Sequence, residues 1–474
     1  MHSESNFIAG HFVGADDQPP IAVLNPATGQ LIGHVDAVSA AQAQAAADAA
    51  QRAQVAWAAL PAEARGQHLL RLAEALIDRS SAIGDVLARE SGKSPEDARN
   101  EALYAAEITR YHAGWARRIE GEIIPSDSRD ETLLLQREPI GVVACLIPFN
   151  FPIYTLMRKI APALICGNTV LVRPSNNTPL SALQLAHAVR DAGLPEGVVS
   201  IMAMQHDVAQ VLCTHPAVGM ITLTGSVGVG RTVLEYCKAN IAKPSLELGG
   251  KTPAIVCADT DLDAAASAIV ASRTSHCGQL CTAVERVYVQ DSVHDALLAL
   301  LKQKMAQVAI GDRAEEAIRM GPLATARARD EVHAKVQRAL AQGAVCETGG
   351  ELPAGEGYFY PATLLSQCRQ DMEIVQEEVF GPVLPVLRFS TLDEALSLAN
   401  DHQFGLASVL FTEDYRSALR AAHGIHAGEL YINRTPADPY QGYHAGWKRS
   451  GLGGDDGKHG MLEFTQTRLV VMKF

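Results

Sequence analysis

The chain has 474 residues, 47% of them hydrophobic and 20% charged. That ordinary globular balance excludes wholesale disorder, a collagen-like repeat and a disulfide miniprotein, and at this length predicts two or three domains. Forty Lys plus Arg against fifty-three Asp plus Glu give a net charge of −13, so no basic surface dominates that could neutralise nucleic-acid phosphates or an anionic membrane. The nine cysteines (145, 166, 213, 237, 257, 277, 281, 346 and 368) are an odd number in a long chain and predict reduced thiols in a reducing compartment, hence a cytoplasmic protein. The N-terminal stretch MHSESNFIAGHFVGADDQ lacks the basic-then-apolar order of a signal peptide, and the apolar run from Val142 to Ile147 is too short to span a bilayer.

In chain order, Ser39 followed three residues later by Gln42 predicts a capping-box start for an Ala-rich helix ending near Leu60. Its composition reads as a solvent-facing helix of strong formers that carries no chemistry. Leu69, Leu72, Ala73 and Leu76 then recur at i, i+3, i+4 and i+7, which places them on one buried helical face. From Glu122 to Arg137 the chain is polar and ends in an extended Leu-rich piece, an edge strand seeking a partner.

From Gly141 the texture changes to short β-rich runs (GVVACLIPF, NTVLVR, VVSIMA, MITLTG) separated by helical stretches such as Leu180 to Ala192. This alternation predicts a doubly wound parallel sheet. A second α/β unit follows, with PAIVCA, ERVYVQ, VLPVLRF and SVLFT as strands and Val293 to Ala306 and Leu392 to Ala399 as helices. The terminal run Arg468 to Phe474 reads as another edge strand. There is no internal repeat and no low-complexity linker.

Five segments could carry chemistry. In Gly278-Gln279-Leu280-Cys281-Thr282 a cysteine follows a glycine among small or polar neighbours, where a substrate could approach a thiolate; a lone cysteine is more often a small buried hydrophobe. In Leu246-Glu247-Leu248-Gly249-Gly250-Lys251 a carboxylate between leucines is desolvated and suited to be a general base, and the glycines suggest close backbone approach by a ligand; the plain alternative is a paired strand-end acid.

Thr224-Gly225-Ser226-Val227-Gly228-Val229-Gly230 follows a strand and opens a helix, so its N–H groups could face a phosphate, or it is simply a tight turn. Pro148-Phe149-Asn150-Phe151-Pro152 leaves the Asn150 amide free to donate to a developing oxyanion, or to close an Asx turn. Glu377-Glu378-Val379-Phe380-Gly381-Pro382 sets an acid beside an aromatic, usable for gripping a ribose and covering a ring, although surface acids are commoner.

These five segments, in this order and across nearly the whole chain, resemble the aldehyde dehydrogenase superfamily. YQGYHAGWKRSGLGGDDGKHG, from Tyr440 to Gly460, and the segment Arg117 to Ile124 are similar to its lactaldehyde/glycolaldehyde dehydrogenase branch. The resemblance implies an α/β protein with a Rossmann-like parallel-sheet dinucleotide-binding domain (1–118 and 140–248), a second α/β catalytic domain (249–430), and a small β oligomerisation arm (119–139 and 460–474). A dimer or tetramer is expected.

By the same resemblance Cys281 is the nucleophile, Glu247 the base that activates water, and Asn150 with the Cys281 backbone N–H the oxyanion donors. A small polar aldehyde would form a thiohemiacetal, give up its hydride to NAD or NADP, and leave as a carboxylate after thioester hydrolysis. Cofactor contacts are expected from Pro148 and Phe149, from Arg173, Ser175 and Asn176 around the adenosine ribose, from Gly225, Ser226 and Gly230 near the pyrophosphate, and from Glu378 and Phe380 at the nicotinamide end. Arg158, Thr282 and His444 would meet the substrate, and no metal is expected.

One departure matters. The family pattern Lys-Pro-Ser-Glu is Arg173-Pro174-Ser175-Asn176 here, and without that carboxylate a 2′-phosphate is tolerable, which predicts dual NAD and NADP use. The alternatives are a dehydrogenase for succinic or 2-oxoglutaric semialdehyde, with Arg158 pairing the distal carboxylate, and a non-catalytic binding protein on this fold. An acylating enzyme is disfavoured because Glu247 supplies the base for hydrolysis. Cys277, four residues before Cys281, is expected to be a packing residue.

Overall fold

A computed structural model describes residues 2–14, 18–315 and 317–474. Met1 and residues 15–17, part of the stretch read against a signal peptide, lie outside them. The capping box forms as the sequence predicts: Ser39 Oγ accepts from the Gln42 N–H at 3.2 Å and Gln42 Oε1 from the Ser39 N–H at 2.9 Å, opening the helix Ala40–Ala59. That helix is not simply solvent-facing. Ala43, Ala46, Ala47, Ala50 and Trp57 form a buried stripe, because small alanines let the helix lie close on the sheet. Leu69, Leu72, Ala73 and Leu76 are all fully buried on the helix Ala62–Asp78.

The first sheet has eight strands, with Val142–Leu146 central between Thr169–Arg173 and Val218–Thr224. Val199–Ile201 and Lys243–Glu247 extend it in parallel on the two sides. Alternate residues feed different cores: Val143 and Cys145 face one helical layer, Val142 and Ala144 the other. Burial on both faces explains why these strands read as continuous apolar runs.

The second sheet has seven strands, its parallel part running in the order Thr363–Ser366, Val383–Phe389, Val284–Gln290, Thr252–Val256, Ala407–Phe411 and Glu429–Ile432. The chain leaves the first sheet at Glu247 and enters the second at Thr252, through Gly249 and Gly250. Carboxyl ends of strands in one sheet therefore face amino ends of strands in the other. That junction is where α/β folds build their sites.

The two expected edge strands pair with each other. Thr465–Lys473 runs antiparallel to Glu131–Pro139 in full register, and Glu122–Ile124 completes a three-stranded sheet. The nine cysteines carry no disulfide. Among the described residues no helix is long and apolar enough to cross a membrane.

Candidate active site

Glu247, Thr224, Leu146 and Arg173 end four successive parallel strands of the first sheet, Leu146 just before the Pro148–Asn150 loop. Gly225 and Ser226 follow Thr224, and Ser226 caps the helix Val227–Asn240 by accepting from the Val229 N–H. The remaining N–H groups of that first turn stand at the positive end of the helix, where a pyrophosphate would be held. Gly230 lies against Leu248, and a Cβ there would meet the Leu248 side chain at 2.8 Å. Arg173 Nη2 reaches Asn176 Oδ1 at 3.3 Å, while Arg173 Nε and Thr224 Oγ1 are buried without partners among the described residues. Orphaned polar atoms along a carboxyl edge are what a dinucleotide would satisfy, so these residues fit the cofactor.

At the other end of the junction, Glu378 and Phe380 precede the strand Val383–Phe389. Buried Glu285 holds this loop from below, accepting from the Val379 and Phe380 N–H groups at 2.9 Å each. Glu285 in turn pairs with Lys251 at 2.8 Å and with Arg273 at 3.0 Å. Burial, reinforced by the Glu285 charge, pushes the Glu378 carboxyl up. Phe380 meets Phe149 edge-on at 6.0 Å between ring centres. The close approach that Gly249 and Gly250 permit is by the protein itself: a Cβ on Gly249 would overlap the Glu378 carboxylate, and one on Gly250 would stand 2.5 Å from the Cys281 carbonyl oxygen.

Half-buried Cys281 lies in the turn after Ser275–Gly278 and before the strand Val284–Gln290. Asn150 makes no Asx turn. Its Nδ2 donates to the Gln279 carbonyl at 2.8 Å, fastening the loop after the first strand to the loop of the thiol and leaving the second N–H of the amide for another acceptor. Thr282 is buried beside Cys281, and Cys277 is sealed in the core of the second sheet, a packing residue as expected.

Loss of water around the sulfur, with Glu247 nearby, pushes the Cys281 thiol up to about 12, although His444 pulls the other way. Ionising this sulfur therefore requires an acceptor for its proton.

His444 links the remaining groups. It is held by reciprocal backbone hydrogen bonds with Asp455, Nε2 lies 3.1 Å from Glu247 Oε1, and Nδ1 lies 2.9 Å from Glu429 Oε1 and 3.5 Å from Asp438 Oδ2. Burial alone would lower this imidazole, but the Asp438 and Glu429 carboxylates hold it well above its usual range. Arg158, on the helix Pro152–Ile165, is buried rather than on the surface. It donates to Asp456 through Nε at 3.0 Å and through Nη2, and to Asp438 at 3.1 Å. Arg158 and His444 are thus both already set against carboxylates.

Asn150, Glu247, Cys281, Glu378 and His444 meet at this junction, while Arg173, Asn176, Gly225 and Ser226 line the carboxyl edge of the first sheet. The sequence reading missed Glu429, Asp438, Asp456 and Glu285: Glu285 and Asp456 lie in segments it quoted for other reasons, Glu429 and Asp438 in segments it passed over. For Glu429 a signal existed: it opens the strand Glu429–Ile432, and amino ends of strands in the second sheet line the site.

Comparison with known proteins agrees with this geometry. Residues 12–470 match the model of the aldehyde dehydrogenase family. The chain is 44% identical to the lactaldehyde dehydrogenase of Escherichia coli (strain K12), covering 98% of each chain. It is 36% identical to a glutarate-semialdehyde dehydrogenase of Pseudomonas aeruginosa, over 100% of this chain and 98% of the other. Among solved structures, it is similar to an E. coli lactaldehyde dehydrogenase with a TM-score of 0.98 and 43% identity, covering 100% of this chain and 99% of that one.

Proposed function

The chain belongs to the aldehyde dehydrogenase family, and from that premise we propose that it oxidises a short aldehyde bearing a hydroxyl group, of the lactaldehyde or glycolaldehyde type, with Cys281 as nucleophile. It is an enzyme that uses NAD or NADP. The aldehyde carbon bonds to Sγ while the thiol proton leaves through Glu247, whose Oε2 is buried without a partner. The oxygen of the adduct accepts from Asn150 Nδ2 and the Cys281 N–H.

A nicotinamide held there would supply the hydride acceptor for the sulfur-bound carbon. After releasing its proton, Glu247 takes another from water, whose oxygen bonds to the thioester carbon as the C–S bond breaks. The products are the carboxylate and the free thiol. Arg173, Ser175, Asn176, Gly225, Ser226, Gly230, Glu378, Phe380 and the Pro148-Phe149 backbone would hold the cofactor.

The substrate class rests on one observation: Arg158 is already neutralised by Asp456 and Asp438. A distal carboxylate would bring a third anion to that guanidinium, next to Glu429 and Glu247. A hydroxyl can donate to Asp438 and accept from Arg158 or His444 without adding buried charge. This favours a hydroxyaldehyde over a semialdehyde.

The test compares kcat/KM for lactaldehyde, glycolaldehyde and succinic semialdehyde with each cofactor. We expect the hydroxyaldehydes to lead by about tenfold or more, the scale of one mismatched polar group. Equal or reversed preference overturns the substrate class, and activity retained in Cys281→Ala overturns the nucleophile.

The same reading assigns 1–118 and 140–248 to dinucleotide binding, 249–430 to catalysis, and 119–139 with 460–474 to an arm that joins copies of the chain. The arm is supported by the apolar residues its sheet leaves in water, Leu469 at 55% and Val471 at 52% exposure among them. Nine unpaired thiols support a reducing, cytoplasmic setting.

A further inference from the structure

We propose that Cys281, His444 and Glu247 together form a binding site for Zn²⁺, so that zinc ions reversibly inhibit the enzyme at its nucleophile. One ligand atom from each residue lies within 4.8 Å of the other two, and His444 Nε2 and Glu247 Oε1 are 3.1 Å apart. Ligands about 2.0–2.3 Å from a tetrahedral zinc stand roughly 3.5 Å from one another, so the cluster closes on an ion through small side-chain movements.

Three features point to a metal rather than to chance proximity. Glu247 and His444 are 2% and 1% exposed, and Glu247 Oε2 is buried without a partner. Glu429 lies against Nδ1 of His444 at 2.9 Å, the outer carboxylate that usually fixes a zinc-bound imidazole and leaves Nε2 to the ion. The donor set also selects the metal. Thiolate, imidazole and carboxylate suit zinc, whereas Mg²⁺ and Ca²⁺ require oxygen ligands.

The exchange balances. Zn²⁺ enters, bonds form to Sγ, Nε2 and a Glu247 oxygen, and any proton those atoms carry leaves to solvent. The fourth position of the tetrahedron, taken by water, would face the substrate side. A second group, Glu429, Asp438 and His444, also clusters, but it offers no thiolate, and Arg158 stands 3.1 Å from Asp438 and repels a cation there.

Inhibition rests on Cys281 being the nucleophile, whereas zinc binding itself does not. The test titrates zinc chloride into the reduced full-length protein against a chromophoric chelator, and follows alkylation of Cys281 by iodoacetamide using mass spectrometry. One zinc per chain is expected. Affinity should fall at least about a hundredfold in Cys281→Ala and about tenfold in Glu429→Gln, and remain unchanged in Cys346→Ala, which alters a half-buried thiol elsewhere.

Zinc should slow alkylation of Cys281 about tenfold or more, Mg²⁺ should not, and EDTA should restore both alkylation and turnover. Zinc bound equally well by Cys281→Ala would place the ion at the Glu429–Asp438 group or elsewhere and overturn the proposal, as would unslowed alkylation. Activity in Cys281→Ala would instead sink the catalytic reading, while the zinc titration still decides this one.

Discussion

In the proposed reading, cofactor choice turns on the side chain of Asn176. Its Oδ1 accepts from Arg173 Nη2, so the position carries no charge of its own and leaves a guanidinium beside the ribose site. Asn176→Glu would restore a carboxylate that repels a 2′-phosphate, and we expect kcat/KM with NADP to fall about tenfold or more relative to NAD. Steady-state kinetics with both cofactors check this. In the unaltered enzyme, NADP turnover below about a thousandth of NAD turnover would remove the dual-use inference. Cys281 and Glu247 could be nominated from their neighbours in sequence, but the state of the thiol could not. Its proton is held by burial and by Glu247, and burial belongs to the assembled site.

At the scale of elements, the junction Glu247–Thr252 joins one sheet to the other and carries two glycines whose lack of a Cβ is structural. An alanine at Gly250 would stand 2.5 Å from the Cys281 carbonyl oxygen, forcing the loop of the thiol to move. A displacement near 1 Å costs about a hundredfold in rate, so Gly250→Ala is expected to lose about that factor in kcat/KM while its thermal midpoint changes little. A Gly250→Ala enzyme with unaltered kinetics would mean that the loop has room to spare. The strand and helix periodicities were legible because each element buries a face whose spacing is fixed by its own geometry. The Ala-rich helix misled because composition says nothing about which side meets a sheet; only the stripe Ala43, Ala46, Ala47 and Ala50 does.

For the whole molecule, buried histidines contribute to loss of stability in acid. Burial pushes His112 down to about 3, with neither ring nitrogen partnered, and His402 likewise to about 3, helped by nearby Arg286 and Lys251. Both are neutral in the fold, whereas the unfolded chain takes up their protons below pH about 6.5. Stability from these groups is therefore complete above pH about 6.5 and is lost as pH falls toward about 3. Thermal midpoints measured from pH 7.5 to 4.5 should decline, and His112→Leu should decline less steeply; parallel curves would contradict the assignment. The arm makes a separate prediction. Leu469→Asp with Val471→Asp puts two charges on its exposed apolar face and should lower the mass seen in sedimentation without unfolding the chain, whereas an unchanged mass would move the interface elsewhere.

The sequence by itself determined the alternation of strands and helices and the family resemblance, and it nominated candidate catalytic and cofactor positions from Pro148 to Phe380. These are local, because a motif, a cap or an apolar period is complete within a few residues of chain. Only the tertiary structure decided that Arg158 is neutralised by Asp438 and Asp456, and that His444 stands between Glu247 and Glu429. The pairs Arg158–Asp456 and His444–Glu247 are separated by 298 and 197 residues, and their charges acquire meaning only when the fold excludes water and brings them within hydrogen-bond distance.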